Sequence, residues 1–328
     1  MPTATTTAPS GPATQPGEHA RSAATDPISR LAFLRWPLMD YRTSVDLTEP
    51  NEGLTEHIGN ARYSLRLQRY WWAARAIQDG AREAAGQGRE YVVVDLGCER
   101  GWMKRFTEGE ADAPTNIRWI GLDGNLDHPS LAASKYHETH ACDFLKTLPV
   151  ADNTADAVVC LHVFEHLKDV EGPAREVARV LKPGGVFLAG TPVGPTPIAK
   201  VRTRQLIERD RQGRNRHWGH VRKFCPASWR TLCEHAGLDI EMMTGSHAIR
   251  QTRSPLENFG WWIRLNQLWG ALFPSLGQEV YLAARKPAAG ETAHNPGVLA
   301  KLWAKADWAL PLAAVIVLMI VPLLIVLD

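Results

Sequence analysis

The chain predicts an α/β protein built on a doubly wound, mostly parallel sheet, with a C-terminal transmembrane helix added. Three observations predict it. The stretch Tyr91-Val92-Val93-Val94-Asp95-Leu96-Gly97-Cys98-Glu99-Arg100-Gly101-Trp102 is a β-branched run that enters a glycine turn. Such a run suits a strand covered on both faces. From Tyr91 onward, strand and helix patterns alternate with short connections. Finally, Trp308 to Leu327 is an uncharged run of 20 residues, enough to span a hydrocarbon core of about 30 Å.

Bulk composition narrows the class. The 328 residues are 45% hydrophobic and 22% charged, ordinary values for one large core or two modest domains. A net charge of +2 is too small to imply nucleic-acid binding. The five cysteines, at 98, 142, 160, 225 and 233, form no C-x-x-C pair, so neither a zinc ribbon nor a redox dithiol is expected. An odd count without a secretory signal fits a reducing cytoplasm. Among 12 tryptophans, the doublets Trp71-Trp72 and Trp261-Trp262 suit a core, a pocket or a membrane interface.

Residues 1–27, rich in Thr, Ala, Pro and Gly, read as a disordered tail with no signal-peptide core. Residues 28–90 read as an N-terminal helical cap. Within it Ile58, Ala61, Leu65, Tyr70, Ala73 and Ile77 fall near helical spacing between Thr55 and Ala85. Residues 91–286 hold the main domain. Its strands are Tyr91 to Asp95, Ile117 to Leu122, Ala155 to Leu161 and Gly185 to Gly190; its helices are Trp102 to Glu108, His128 to Ser134 and Val170 to Leu181. Pro226 to Ala236 reads as a helix stopped by Gly237. Leu238 to Met243 and Glu279 to Ala284 read as strands closing one edge as an antiparallel pair. Residues 287–302 read as a linker and 303–328 as a transmembrane tail anchor.

Asp95 stands at the carboxyl end of a strand, where open α/β sheets bind ligands, and Gly97 and Gly101 allow close approach. The pattern predicts a nucleoside-containing cofactor over the turn. The dinucleotide pattern G-x-G-x-x-G is missing. The segment instead resembles the first motif of class I S-adenosylmethionine-dependent methyltransferases. Asp95, Gly97 and Gly101 match that motif, and Cys98 lies within it. Glu99 departs from it, standing where the family usually has glycine. Its charge pairs with the cofactor's ammonium group or with Arg100, or it repels the cofactor's carboxylate.

Further motifs follow in the family's order. Ile120-Gly121-Leu122-Asp123-Gly124 places Asp123, with Gly124 after it, where a carboxylate accepts both ribose hydroxyls. In Ala141-Cys142-Asp143-Phe144-Leu145, the resemblance implies that Asp143 faces the adenine amino group and Phe144 packs on the ring. Ala155 to Leu167 resembles the fourth-strand motif, which often ends in Glu-His, here Glu165-His166. The resemblance implies that Leu161 and His162 touch the cofactor and that His166 faces the acceptor. A neutral imidazole with pKa of about 6.5 can take a proton from an acceptor hydroxyl. Equally, His166 and Glu165 can serve only to orient a loop. Val177 to Leu188 gives the helix, proline-glycine turn and strand of the family's fifth strand. The resemblance covers about residues 91 to 285. It implies a Rossmann-like, seven-stranded sheet and S-adenosyl-L-methionine as cofactor.

Lys200 to Lys223 carries nine Lys or Arg against Glu208 and Asp210, inside a basic insertion at 197–224. It reads as a mobile lid for an anionic acceptor or phospholipid headgroups, or as a solvated loop. His220, in His217-Trp218-Gly219-His220, joins His166 and Glu165 as a catalytic candidate. His217 and His220 lack further ligands at metal spacing, so no metal is expected. Lys301 and Lys305 beside the apolar run place the domain on the cytoplasmic face of the cell membrane, as a single-pass protein. The expected activity is methyl transfer to a small-molecule or lipid acceptor: a lipid, an isoprenoid or a lipid-linked glycan. The main rival is a non-catalytic, membrane-tethered binding module of the same fold, which Glu99 supports. A nicotinamide-dependent oxidoreductase lacks its glycine pattern.

Overall fold

Apolar, β-branched runs set the centre of the molecule. In the computed structural model they form β1 (Tyr91–Leu96) and β4 (Ala155–Leu161), buried along nearly their whole length. Around them lie β2 (Ile117–Asp123), β3 (Glu138–Ala141), β5 (Leu181–Pro192), β6 (Asp239–Gly245) and β7 (Glu279–Arg285). The seven strands pair in the order β3-β2-β1-β4-β5-β7-β6. Every pairing from β3 to β5 is parallel. β7 runs antiparallel to both β5 and β6, so the sheet is mixed rather than parallel throughout. The antiparallel edge read from the sequence is present, with β7 inserted inside β6. The strand order reverses between β1 and β4, which opens a crevice beyond their carboxyl ends.

Among the described residues eight α-helices flank the sheet: α1 (Leu54–Ile58), α2 (Gln68–Gly86), α3 (Trp102–Glu108), α4 (Pro129–Ala133), α5 (Glu171–Val180), α6 (Thr196–Arg211), α7 (Pro226–His235) and α8 (Gly260–Leu272). On one face Trp71 and Trp72 of α2 pack with Phe106 of α3 and with Val93, Trp119 and Ala157 of the sheet. On the other, Ala174 and Val177 of α5 and Trp229 of α7 pack with Val94, Val158 and Phe187. The helices read as an N-terminal cap therefore share one core with the strands. Trp71 and Trp72 are each 1% exposed, so this doublet belongs to the interior. Trp261, in contrast, is 59% exposed.

The structure describes residue 34 and residues 36–45, 53–214, 219–248, 254–288, 290–291 and 309. The N-terminal tail and almost all of the linker and anchor segments lie outside the described residues. Among the described residues no helix is long and apolar enough to cross a membrane. The basic insertion is corrected in form: residues 196–211 are the helix α6 rather than a loop. Its inner stripe is Ala199, Thr203, Leu206 and Asp210, while Lys200, Arg202, Arg204, Arg209 and Arg211 face outward. All five cysteines are free.

Candidate active site

The turn after β1 is built by backbone conformations that favour glycine. Gly97 has φ 81° and Gly101 has φ 70°. A Cβ on Gly97 would lie 2.4 Å from Val163 Cγ2, and one on Gly101 would lie 2.2 Å from Ser134 Oγ. The glycines thus let the turn pack under the β4 loop and against the Ser134 turn. Glu99 also has positive φ, 31°. That is the physical reason a glycine suits this place, and the glutamate bears the strain. Its carboxylate pairs with Arg100 at 3.4 Å. Of the partners considered from the sequence, the described residues supply that one.

Replacing Glu99 with glycine removes a strained side chain whose ion pair is solvent-exposed and therefore weak. Glu99→Gly should stabilise the fold by about 1 kcal/mol, read as a higher melting temperature. Affinity for S-adenosylhomocysteine, measured by calorimetry, should hold or improve. A drop in both would show that the glutamate is needed at the site.

Between this turn and α2 and α3 lies a cleft. Asp95, Gly97, Cys98, Glu99 and Leu161 line it from the strand tips, and Tyr70, Arg100, Trp102 and Met103 from the helical side. A second cavity of about 280 Å³, bordered by Trp71, Trp72 and Tyr281, carries no charged side chain. The first, unlike the second, offers carboxylates that can meet a cationic nucleoside cofactor.

Asp95 is 5% exposed. Burial pushes its carboxyl up to about 7, although the Tyr136 hydroxyl, donating to Oδ2 at 2.6 Å, opposes the rise and nearby Asp123 adds to it. Asp123 sits at the tip of β2. Its Oδ2 accepts from the Glu99 backbone N–H at 2.9 Å, and its Oδ1 from that of Asn125 at 3.1 Å. Both bonds hold the carboxylate in place beside the turn. The buried Asp95 carboxylate thus lines the cleft from one strand tip, Asp123 is held beside the turn at the next, and Tyr70 and Trp102 form aromatic walls. This donor set fits an adenosyl group carrying positive charge. Cys98 lines the cleft, but burial raises its thiol pKa and keeps it protonated and inert.

Other candidates from the sequence are placed elsewhere. Gly124 follows Asp123 in open space. Asp143 is exposed, and its Oδ1 accepts from the Leu145 N–H at 3.0 Å. Phe144 lines a separate apolar cavity of about 220 Å³ with Leu96, Cys160 and Val163. The structure therefore does not bring Asp143 and Phe144 into the Asp95 cleft.

His162 belongs to a buried charge cluster that sequence reasoning missed. It has φ 59°, and its N–H donates to Gly190 O at 2.8 Å. Its Nδ1 lies 3.2 Å from Glu165 Oε1, and its Nε2 lies 3.1 Å from Glu279 Oε1. Arg69 Nη1 reaches the same Glu279 oxygen at 2.8 Å. Burial and Arg69 both press the imidazole pKa down, but the two carboxylates outweigh them and raise it. Burial would raise Glu279, yet Arg69 and His162 hold it far below the carboxylate range. Arg69, Tyr70 and Glu279 come from α2 and the start of β7, far from the motifs. The one available signal was an acid opening the apolar run Val280 to Ala284.

Glu165 and His166 occupy the short 3₁₀ turn Phe164–His166 that follows β4. Backbone N–H groups of Val221 and Arg222 donate to Glu165 O at 2.9 and 3.2 Å. This clamp brings His220 beside His166, with ring centroids 4.9 Å apart and planes at 77°. The three catalytic candidates are thus assembled from two distant segments.

The sheet order, the reversal point between β1 and β4 and the paired carboxylates define a class I S-adenosylmethionine-dependent methyltransferase fold. Residues 66–242 match the family described as a methyltransferase domain, and the chain belongs to that family. S-adenosyl-L-methionine is accordingly its cofactor. Over 154 residues the chain is 32% identical to a protein of Mycolicibacterium smegmatis named a probable S-adenosylmethionine-dependent methyltransferase, covering 43% of this chain and 56% of that one. It is 37% identical over 103 residues to the sterol 24-C-methyltransferase erg6 of Aspergillus fumigatus, covering 29% of this chain and 26% of that one. Similarity to the human thiol S-methyltransferase TMT1A is 28% over 121 residues, covering 34% and 47%. The chain thus spans from about a quarter to just over half the length of these curated relatives. Among solved structures, an S-adenosylmethionine-dependent methyltransferase from Mesorhizobium loti is similar with a TM-score of 0.45 and 18% identity, covering 67% of this chain and 99% of that one.

Proposed function

We propose that this protein transfers the methyl group of S-adenosyl-L-methionine to a lipophilic acceptor at a membrane surface. The observation that carries the acceptor class is α6. Its outward face combines five basic side chains with Ile198 and Val201, which are 60% and 55% exposed. Cations interleaved with exposed aliphatic groups suit an anionic lipid surface. The uncharged run from Trp308 to Leu327 and the sterol substrate of one relative support the same reading. On it, the C-terminal run anchors the chain and the catalytic domain faces the cytoplasm.

When bound, the cofactor supplies an already activated methyl group. The residues of this chain then have positioning work to do. Asp95 and Asp123 hold the cationic nucleoside, Tyr70 and Trp102 wall off water, and Leu161 borders the reacting end. His166 and His220 stand past the β4 tip, where an acceptor proton can be received.

The test uses labelled S-adenosylmethionine and vesicles made from lipid extract, with or without anionic lipid. Changing Arg202, Arg204 and Arg209 together to glutamine should weaken binding to anionic vesicles roughly 100-fold, at about 1 kcal/mol for each cation. Methyl incorporation should fall with it, while affinity for S-adenosylhomocysteine stays unchanged. Equal loss of both would refute the membrane role of α6. A second reading, a binding module without catalysis, draws on the strained Glu99. It predicts that cofactor binds yet no extracted lipid gains label.

A further inference from the structure

We propose that Glu165, His166 and His220 form a binding site for one divalent transition-metal ion of the zinc class. Their donor atoms all lie within 4.8 Å of one another. Two imidazoles and one carboxylate are the donor set of open zinc centres, which keep a further position for water or substrate. Imidazole donors favour zinc and its transition-metal neighbours over calcium or magnesium.

The second, independent observation is the state of the carboxylate. Glu165 is 1% exposed, and neither of its oxygens receives a hydrogen bond from the described residues. His162 Nδ1 lies at ion-pair distance from one of those oxygens, 3.2 Å, and supplies a first counter-charge. A buried carboxylate with one neighbouring imidazole and no hydrogen bond to either oxygen remains costly, and a further cation would relieve it. A metal ion between Glu165 and the two half-buried imidazoles would meet it. Bond lengths of about 2.0–2.2 Å require the donors to draw somewhat closer than they stand, and two half-buried rings can rotate to do so. Behind the carboxylate, the chain His162, Glu279 and Arg69 forms the kind of outer shell that orients a ligating group. Partly buried Lys223, whose ammonium feels the Glu165 charge, is the competing counter-charge. The site leaves an open position on the solvent side, because His166 and His220 are only half buried.

The metal site does not depend on which acceptor is used, although a bound ion would occupy the imidazoles assigned above to receive its proton, and its test needs no acceptor. The full chain, solubilised in detergent and stripped with a chelator, is titrated with Co²⁺. The visible absorption of a four- or five-coordinate ion should saturate at one equivalent and be displaced by Zn²⁺. Outer-shell partners alone are worth up to about 100-fold in metal affinity, so loss of a ligand in His220→Gln or His166→Gln should weaken Co²⁺ binding by at least that much. Retained binding of S-adenosylhomocysteine reports an intact fold in each variant; if one fails it, the other decides. No cobalt absorption in the wild type, or the same absorption in both folded variants, overturns the site. The first outcome leaves His162 and Lys223 as the groups that balance Glu165.

Discussion

Asp95→Asn should weaken S-adenosylmethionine binding by about 10- to 100-fold, the worth of a hydrogen bond to a charged partner, and at the same time make the protein more stable at pH 8. Both effects come from one carboxylate. Burial raises its pKa from 3.8 to about 7, so the folded state holds its proton more tightly than the unfolded state does. Stability then falls as pH rises from about 4 through 7, and above 7 the full penalty is present. A rise of that size corresponds to a penalty on the order of 4 kcal/mol. Asparagine keeps the shape and can still accept from Tyr136, but it carries no charge to desolvate. Its melting temperature at pH 8 should exceed the wild type's by roughly 10 °C, and the two should converge near pH 4. The wild type should also lose cofactor affinity as pH drops below about 7, because a neutral carboxyl cannot meet a cation, whereas the variant should lack that component. Calorimetric titrations and thermal melts from pH 5 to 9 measure both. A variant that is less stable at pH 8 and binds as before would remove Asp95 from the site.

That burial pattern is why Asp95 was legible in the sequence at all. It ends a run buried on both sides, and strand tips of this kind are local features. β4 and α3 were readable to the residue by local signals too: one is an apolar run broken only by Asp156, and the other starts at a glycine N-cap. β3 carried no such signal, because an edge strand of four residues, Glu138–Ala141, alternates half-buried and exposed side chains. α6 read as a loop because its inward stripe is only Ala199, Thr203, Leu206 and Asp210, too small and polar to stand out. The site divides in the same way. Gly97, Cys98 and Leu161 adjoin strand ends and were found. Tyr70, Arg100, Trp102 and Met103 line the cleft through helix packing, which no short motif records. His166 and His220 lie too far apart in sequence for ligand spacing to reveal them; a backbone clamp on Glu165 O brings them together.

Arg69→Met should destabilise the fold by about 3–5 kcal/mol, because it strips the guanidinium from a buried, charged Glu279 and leaves only His162 and the Tyr281 hydroxyl to meet it. The two side chains are only 12% and 10% exposed, with Nη1 and Oε1 2.8 Å apart. Burial alone would drive Arg69 towards neutrality, but Glu279 more than offsets this and holds the guanidinium charged. Tyr281 donates to the second oxygen of Glu279 at 2.7 Å, so the carboxylate cannot turn to another cation. Glu279→Gln should cost a similar amount by stranding Arg69. The double change Arg69→Met with Glu279→Leu should recover most of the loss, since replacing a whole buried pair with apolar groups is often neutral or better. Because the Glu279 pKa is depressed, its stabilising contribution is complete above pH 4.5 and fades as pH falls below it, so the wild type should approach Arg69→Met in stability under acid. The double variant should nevertheless not recover methyl transfer. His162 would lose the carboxylate at its Nε2 while keeping φ 59° at the tip of β4, and the turn carrying Glu165 and His166 would lose its support. Stability restored without activity would identify the pair as the element that positions the β4 tip. Activity restored together with stability would reduce it to a structural ion pair.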